Sequence, residues 1–415
     1  MRGEKQKARE RQMRQTGMGY LRYFTAAVFI TVLWPCISGV SEAQEKAARL
    51  QATAGVEASY VTNVFNLSSD QQDQLEANSP ADQTSGRYKD MDSVSDLIVT
   101  PRLRLSSKQP GLGGKELQIK PGIAYNLYMQ NAKKSHVELG VGLRQDVGDT
   151  GTLGLDVSYS PDVFKKNYLF DATDLTGSVT DAERVYKPAK YDDLSVDLSY
   201  RRKLWKAAKV KAGPSSVESV YGEFLVGLQM REFNSDFVNR DEDSVRAGFG
   251  ATAEFSNNMD LAANYTFEAV EAPAGTEVLI LDEPDFGVDF NNDADSLDNN
   301  IRTVQGVDRS RNEHTITLKA RAKLSKDWTG QARYDYRLQD YKSTERFDSA
   351  YNNREDKRHR LGLGLQRELA ARWSLALGWE FVKEKTSRGP SANIDPAEPK
   401  SYENMILTGA LSYRL

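Results

Sequence analysis

From Met405 to the last residue the chain alternates. Met405, Leu407, Gly409, Leu411, Tyr413 and Leu415 stand on one side, and Asn404, Thr408, Ala410, Ser412 and Arg414 on the other, with Ile406 the one apolar residue out of phase. A period of two is the mark of a strand whose successive side chains point to opposite faces. Here one face is apolar and the other polar.

The pattern recurs along most of the chain. Period-two matching finds about fourteen strand-like windows: 51–66, 93–106, 116–130, 135–147, 151–160, 191–205, 217–232, 243–256, 258–270, 312–325, 327–341, 355–369, 371–385 and 401–415. In the third, Leu117, Ile119, Ile123, Tyr125, Leu127 and Met129 share a face; in the thirteenth, Trp373, Leu375, Leu377, Trp379 and Phe381 do. The connections alternate in length. Long polar ones cover 67–92, 161–190, 233–242, 271–311, 342–354 and 386–400, and short ones include Gly148-Asp149-Thr150, Ser256-Asn257-Asn258, Ser325-Lys326-Asp327 and Leu369-Ala370-Ala371. The tight link at 131–134 and the long one at 206–216 depart from that rhythm.

Residues 1–43 have the layout of an export signal. A basic segment from Arg2 to Arg22 precedes an apolar run from Phe24 to Val40, and Ser41-Glu42-Ala43 offers a small-x-small cleavage site before Gln44. Met13 and Met18 are alternative starts. Pro35 and the small-residue exit argue against an uncleaved anchor helix. The single cysteine, Cys36, lies in the apolar run, and Trp34-Pro35 before it does not suit a lipidation site. The exported part has no cysteine, so disulfides do not hold it together.

Mean hydropathy is −0.60, and no apolar run in the body approaches the roughly 20 residues of a spanning helix. A strand-built membrane protein escapes that test, because half of each strand is polar. Export, two-faced strands and alternating long and short connections together predict an all-β fold. It is a transmembrane antiparallel up-and-down β-barrel of about fourteen strands over 44–415, in the outer membrane of a Gram-negative-type bacterium. Tyr60, Tyr125, Tyr128, Tyr159, Tyr200, Trp205, Trp328, Trp373, Trp379 and Tyr413 collect near strand ends, where aromatic rings belt the headgroup region. A soluble sandwich would not explain the alternating connections.

If the apolar positions meet lipid, the alternate positions line the interior. A basic set falls on the tenth to twelfth strands: Lys319, Arg321, Lys323, Arg333, Arg337, Arg358 and Arg360. An acidic set falls on the fourth to ninth: Glu138, Asp156, Asp197, Glu223, Glu254, Asp260 and Glu268. Two arcs of opposite sign would set a transverse field across a watery passage; wall-to-wall salt bridges in a filled barrel are the alternative. Gly140 with Gly142, Gly248 with Gly250 and Gly362 with Gly364 share the inner parity, leaving room or easing curvature.

The interval between Gln44 and the first strand is too short for a plug domain, so any obstruction falls to a loop. The candidate is 271–311, whose apolar Val278-Leu279-Ile280-Leu281 either folds inward or extends a hairpin outside. In the same loop Asp289, Asn291, Asp293 and Asp295 have the spacing of the first ligands of a calcium loop, but Ala294 and Asn300 replace its glycine and closing glutamate. A solvated acidic loop is the simpler reading, and no cofactor is called for. The formal charge of −4 is not a nucleic-acid-binding balance. His136, His314 and His359 offer no triad, and Ser135 beside His136 is adjacency only, so no enzyme is expected.

The stretch Tyr60-Val-Thr-Asn63-Val64-Phe65-Asn-Leu67-Ser68 resembles the close of the first strand in the "beta-barrel porin 2" group of outer-membrane porins. The resemblance implies an outer-membrane barrel, often associated with polysaccharide export, and supplies no catalytic residues. Such barrels usually end in Phe or Trp, whereas this chain ends in Leu415 behind Tyr413. The expected function is a channel for passive passage of small polar or charged solutes, with outer-membrane lipid around it. An export pore for a polysaccharide and a non-conducting docking barrel are the alternatives.

Overall fold

In a computed structural model, residues 50–77, 88–170, 185–207, 216–272, 275–280, 301–343, 351, 353–387 and 401–415 are described. The export signal, Cys36 and the candidate calcium ligands fall outside them.

Fourteen strands close into one antiparallel barrel. The chain rises in β1 (Gln51–Val61), descends in β2 (Asp96–Pro110), and continues through β3 (Glu116–Tyr128), β4 (His136–Val147), β5 (Gly151–Phe170), β6 (Val185–Lys206) and β7 (Val217–Phe233). After β8 (Glu242–Phe255) and β9 (Met259–Glu271) it leaves the wall for a separate hairpin, β10 (Gly275–Ile280) with β11 (Ile301–Val307). The wall resumes with β12 (Arg311–Lys323), β13 (Trp328–Tyr341), β14 (Glu355–Ala370), β15 (Trp373–Ser387) and β16 (Tyr402–Arg414). β12 pairs with β9, and β16 returns to β1 from Thr53↔Arg414 to Val61↔Ile406. Closure leaves no strand edge, which is what a wall in hydrocarbon requires.

The short turns use residues that accept a left-handed backbone: Gly148 has φ 62° and Asn258 φ 58°. Two strands outrun their expected lengths. β5 continues past 160 and β6 begins before 191, with the ladder interrupted between Ser160 and Val163 and between Phe164 and Lys166. Bulges there break the period of two while pairing persists.

There is no greasy interior. Large apolar side chains stand on the outside: Phe224 is 64% exposed, Phe249 61% and Leu363 51%. Among the described residues, buried apolar side chains form two small clusters. One is Leu67, Leu75, Tyr88, Met91 and Val94 within the first long loop; the other is Ala189, Phe233 and Phe237 near the loop end of β6 and β7. A continuous apolar exterior of this extent needs lipid against it, and the fold is a transmembrane β-barrel. One aromatic expected in the headgroup belt is not there: Tyr128 lies on the inner parity of β3, beside His136.

Leu363 lies midway along β14 on the lipid side. Leu363→Arg should destabilise the barrel by about 2–4 kcal/mol in denaturant unfolding from lipid vesicles, the cost of an arginine at the bilayer midplane. A loss well under ~1 kcal/mol would place that face in water.

Candidate functional site

The inner parity of the wall carries the charged residues singled out from sequence. Asp156 and Asp197 are direct cross-strand partners, Asp260 faces Arg321, Lys319 faces Arg333, and Arg337 faces Arg358. Glu138, Glu223, Glu254 and Glu268 occupy the same face of β4, β7, β8 and β9, as do Lys323 on β12 and Arg360 on β14.

The wall is not divided into one acidic and one basic arc. Arg144 bonds Asp156 at 2.7 Å and Arg201 lies 3.6 Å from Glu254 within the expected acidic arc, and Arg102 bonds Glu57 at 2.6 Å on β2 and β1 beside it. In the expected basic arc Arg333 bonds Asp335 at 2.8 Å, Arg360 bonds Glu380 at 2.6 Å, and Arg337 bonds Glu384 at 3.2 Å. Most of these counter-ions sit on another strand, adjacent or one further on, a relation that reading each strand alone does not show; Arg333–Asp335 lies within one strand. Glu138 accepts from Asn126, and Glu268 from the Ser244 hydroxyl. Among the described residues Lys319, Arg321, Lys323, Arg358, Glu223 and Asp260 hold no ion pair.

One bridge spans three strands. Gly227 on β7 is the cross-strand partner of both Asp197 on β6 and Arg246 on β8. The Arg246 guanidinium reaches over it to both Asp197 oxygens, at 2.7 and 2.5 Å. A Cβ on Gly227 would lie 2.1 Å from the carboxylate, so only glycine lets this pair form. Gly142 likewise lies beneath Asp156. These inward glycines make room for bridging side chains.

Among the described residues, the segment that enters the barrel is the first long loop. Within 271–311 the described residues include the separate β10–β11 hairpin. After Val61 the chain turns inward. Asn63, almost fully buried, donates to the Leu67 carbonyl at 2.7 Å and accepts from the Leu67 amide at 2.8 Å. Asn404 on β16 accepts from the Asn63 amide and donates to its carbonyl. Asn66 has φ 54°, a conformation asparagine tolerates. Helix α1 (Ser69–Ala77) then starts on a reciprocal cap: the Gln71 amide donates to the Ser68 hydroxyl, and the Ser68 amide to the Gln71 side chain. The motif Asn63–Ser68 thus builds a hairpin bend and a helix start.

The returning limb is pinned by a second pair. Asp96 and Asn131 are both 0% exposed. Asp96 accepts from the Gln130 and Asn131 amides, while the Asn131 side chain accepts from the Asp92 and Ser93 amides.

Between these anchors Phe65 projects into the lumen. It meets Phe164 edge-on, with centroids 6.4 Å apart, and the Lys134 ammonium lies 4.6 Å from its ring centre. Lys134 also donates to the Phe164 carbonyl at 3.4 Å. Phe65, Lys134 and Tyr128 line a cavity of about 760 Å³ whose lining also includes Arg358 and Tyr402. A second cavity of about 910 Å³ lies against Arg102, Lys120, Arg144 and Asp156.

The histidines are not arranged for catalysis. His314 and His359 sit on the outer face, their Nδ1 atoms 2.7 and 2.9 Å from the hydroxyls of Tyr265 and Tyr334. His136 faces inward, its Nδ1–H donating to the Lys134 carbonyl and its Nε2 accepting from Asn126.

No family model matches the chain, and no curated protein matches it. Similar solved structures include an anion-selective porin from Comamonas acidovorans, at 13% identity over 89% of this chain and 99% of that one, with a TM-score of 0.36. Another is the outer membrane channel DcaP of Acinetobacter baumannii, at 12% identity over 90% and 99%, with a TM-score of 0.41. The toluene transporter TodX of Pseudomonas putida matches at 10% identity over 88% and 89%, with a TM-score of 0.39. Values this low transfer no solute and no residue role to this chain.

Burial pushes the Lys134 ammonium down from 10.5 to about 8; Asp96 opposes the fall and Lys165 adds to it. The folded state therefore holds fewer protons than the unfolded one between these values, and the stability of the loop anchor rises with pH across that window. The Lys134 side-chain nitrogen resonance should titrate with a midpoint near pH 8. A midpoint at the ordinary lysine value would show that water reaches the pocket freely.

Proposed function

We propose that this barrel is an outer-membrane channel for the passive passage of small polar or charged solutes. The observation that carries the reading is inward charge that holds no ion pair among the described residues: Lys319 and Glu223 within their strands, and Arg321 and Asp260 facing each other near the turn ends of β12 and β9. An ionised side chain in a dry, low-dielectric interior costs several kcal/mol. These groups therefore stand in water, and a water column lined with charge is a path for hydrophilic solutes. A closed barrel used only for support would gain by filling that space with apolar or fully paired side chains.

The inward bend at 62–68 supports small solutes over a polymer, because Phe65 and its neighbours occupy cross-section that an extended chain would need. The same bend gives a structural role to the segment resembling the beta-barrel porin 2 group: Asn63 and Ser68 are its hinges. Membership of that group, with its frequent tie to polysaccharide export, is the finer reading and rests on those nine residues.

Selectivity would come from the inward cations of β12 and β13. Replacing Arg321 and Arg333 together by Glu should move the zero-current potential in a salt gradient toward cation preference in planar bilayers, while single-channel conductance survives. An unchanged reversal potential would mean that these side chains do not border the conducting path. Absence of steps in the wild-type protein would overturn the channel reading itself.

A further inference from the structure

Arg337, Arg358 and Glu384 stand side by side across β13, β14 and β15 on the inner face, in direct register. The arrangement parallels Asp197–Gly227–Arg246, where a carboxylate and a guanidinium join over a central residue. Here Arg337 reaches past the middle strand to Glu384 at 3.2 Å, but the central residue is Arg358 instead of glycine. Glu384, already holding Arg337, also accepts from the Tyr402 hydroxyl at 3.5 Å. Arg358 has the like charge of Arg337 on one side, where cross-strand like charges repel, and on the other it attracts Glu384, whose carboxylate is already bonded to Arg337. Among the described residues its guanidinium makes no ion pair and no hydrogen bond.

A second observation falls on the same patch. Four arginine Nε–H groups are buried with no acceptor, and three of them belong to Arg337, Arg358 and Arg360. A buried donor without a partner carries its full desolvation penalty, and native structures rarely keep one without a ligand, ion or water to meet it. Arg360 lies one inward position below Arg358 on the same strand, with one guanidinium nitrogen held by Glu380. The three planar forks border the cavity that Phe65 narrows, or adjoin its lining.

The geometry points to a binding station for a small oxyanion, a carboxylate or a phosphate, on the inner wall at Arg358 between Arg337 and Arg360. This deepens the channel reading and rests on it for the solute's route. Guanidinium forks match the paired oxygens of such anions in shape and charge. An anion at this point removes the repulsion between Arg337 and Arg358 and satisfies the free donors. It also lies on the wall of the cavity that Phe65 lines. Arg358 gives up no protein partner to hold it, so the station can be emptied and refilled without breaking the wall's own bridges.

The test uses the full mature protein refolded in detergent and in planar bilayers, with succinate, inorganic phosphate and chloride as probes. In wild type, succinate or phosphate should interrupt the chloride-carried current, and calorimetry on the detergent-solubilised protein should detect its binding. Arg358→Gln should raise the half-blocking and half-binding concentrations about tenfold or more, the worth of a hydrogen bond to a charged group, with block measured as a fraction of each protein's own chloride current. Lys357→Gln, one residue away on the lipid side and paired with Glu355, should change neither. Block by succinate alone identifies a carboxylate station, and block by phosphate alone a phosphate station. Equal block or binding in wild type and Arg358→Gln overturns the station, as does absence of binding by either oxyanion to wild type. If the bilayers stay silent but calorimetry shows Arg358-dependent binding, the station stands and the channel reading falls.

Discussion

The structure depends first on the backbone hydrogen-bond ladder having no end. A strand in hydrocarbon cannot leave N–H or C=O groups bare, because each costs several kcal/mol there. The ladder therefore runs through all fourteen wall strands and closes where β16 meets β1, with Leu415 still donating to the Ala52 carbonyl beyond the last register pair. Closure makes side-chain parity binary around the whole circumference. Once Leu411 faces lipid, so must Val56 and Pro101 beside it, and Glu57 and Arg102 must then face inward. The ordinary relation of core to surface is inverted: packing does not hold the wall, and the inside is where the electrostatics are decided.

That binary logic is why so much of the wall was legible from residues alone. Leu361, Leu363 and Leu365 alternate with Arg360, Gly362 and Gly364, and no tertiary knowledge is needed to sort them. Legibility stops where the alternation does. Past Ser160 a bulge at Pro161-Asp162, with Asp162 at φ 53°, shifts the phase, and β5 carries on for ten more residues that read as loop. The inward bend was hidden for a different reason. Asn63 is held by Asn404, a partner 341 positions away, and no local pattern announces that contact. The only local traces were Asn66, suited to positive φ, and Ser68 with Gln71 as a helix cap. Tyr128 failed for a third reason: an aromatic at a strand end was assigned to the lipid belt, yet its parity beside Leu127 sends it inward.

Charge on the inner face follows a rule that counting residues by strand cannot deliver. Bridges such as Arg144–Asp156 join adjacent strands, and Arg246–Asp197 skips one. In the Arg246–Asp197 bridge the central residue is Gly227, where a Cβ would lie 2.1 Å from the Asp197 carboxylate. Buried ion pairs contribute little net stability, because desolvation offsets much of their attraction. Their value in a barrel lies elsewhere: they fix arginine and carboxylate side chains against the wall, so that the passage keeps a defined cross-section. The groups left over set its chemistry.

The first loop and the arginine patch belong to the same end of the barrel, and their neighbourhood has a physical consequence. Phe65 removes cross-section and water from one side of the passage, which lowers the local dielectric response and strengthens any charge facing it. Arg358 lines the wall of that same narrowed cavity. A neutral solute gains nothing there and meets only the steric restriction. An anion meets the same restriction and, on the wall of the same cavity, a guanidinium whose facing carboxylate, Glu384, is already bonded to Arg337. The Asn63 and Asn131 anchors hold the loop at both ends to the wall that carries those charges, so the distance between ring and guanidinium is set by hydrogen bonds at the rim. Constriction and charge are thereby coupled through the loop's attachment, and the barrel's selectivity depends on how firmly those two asparagines hold.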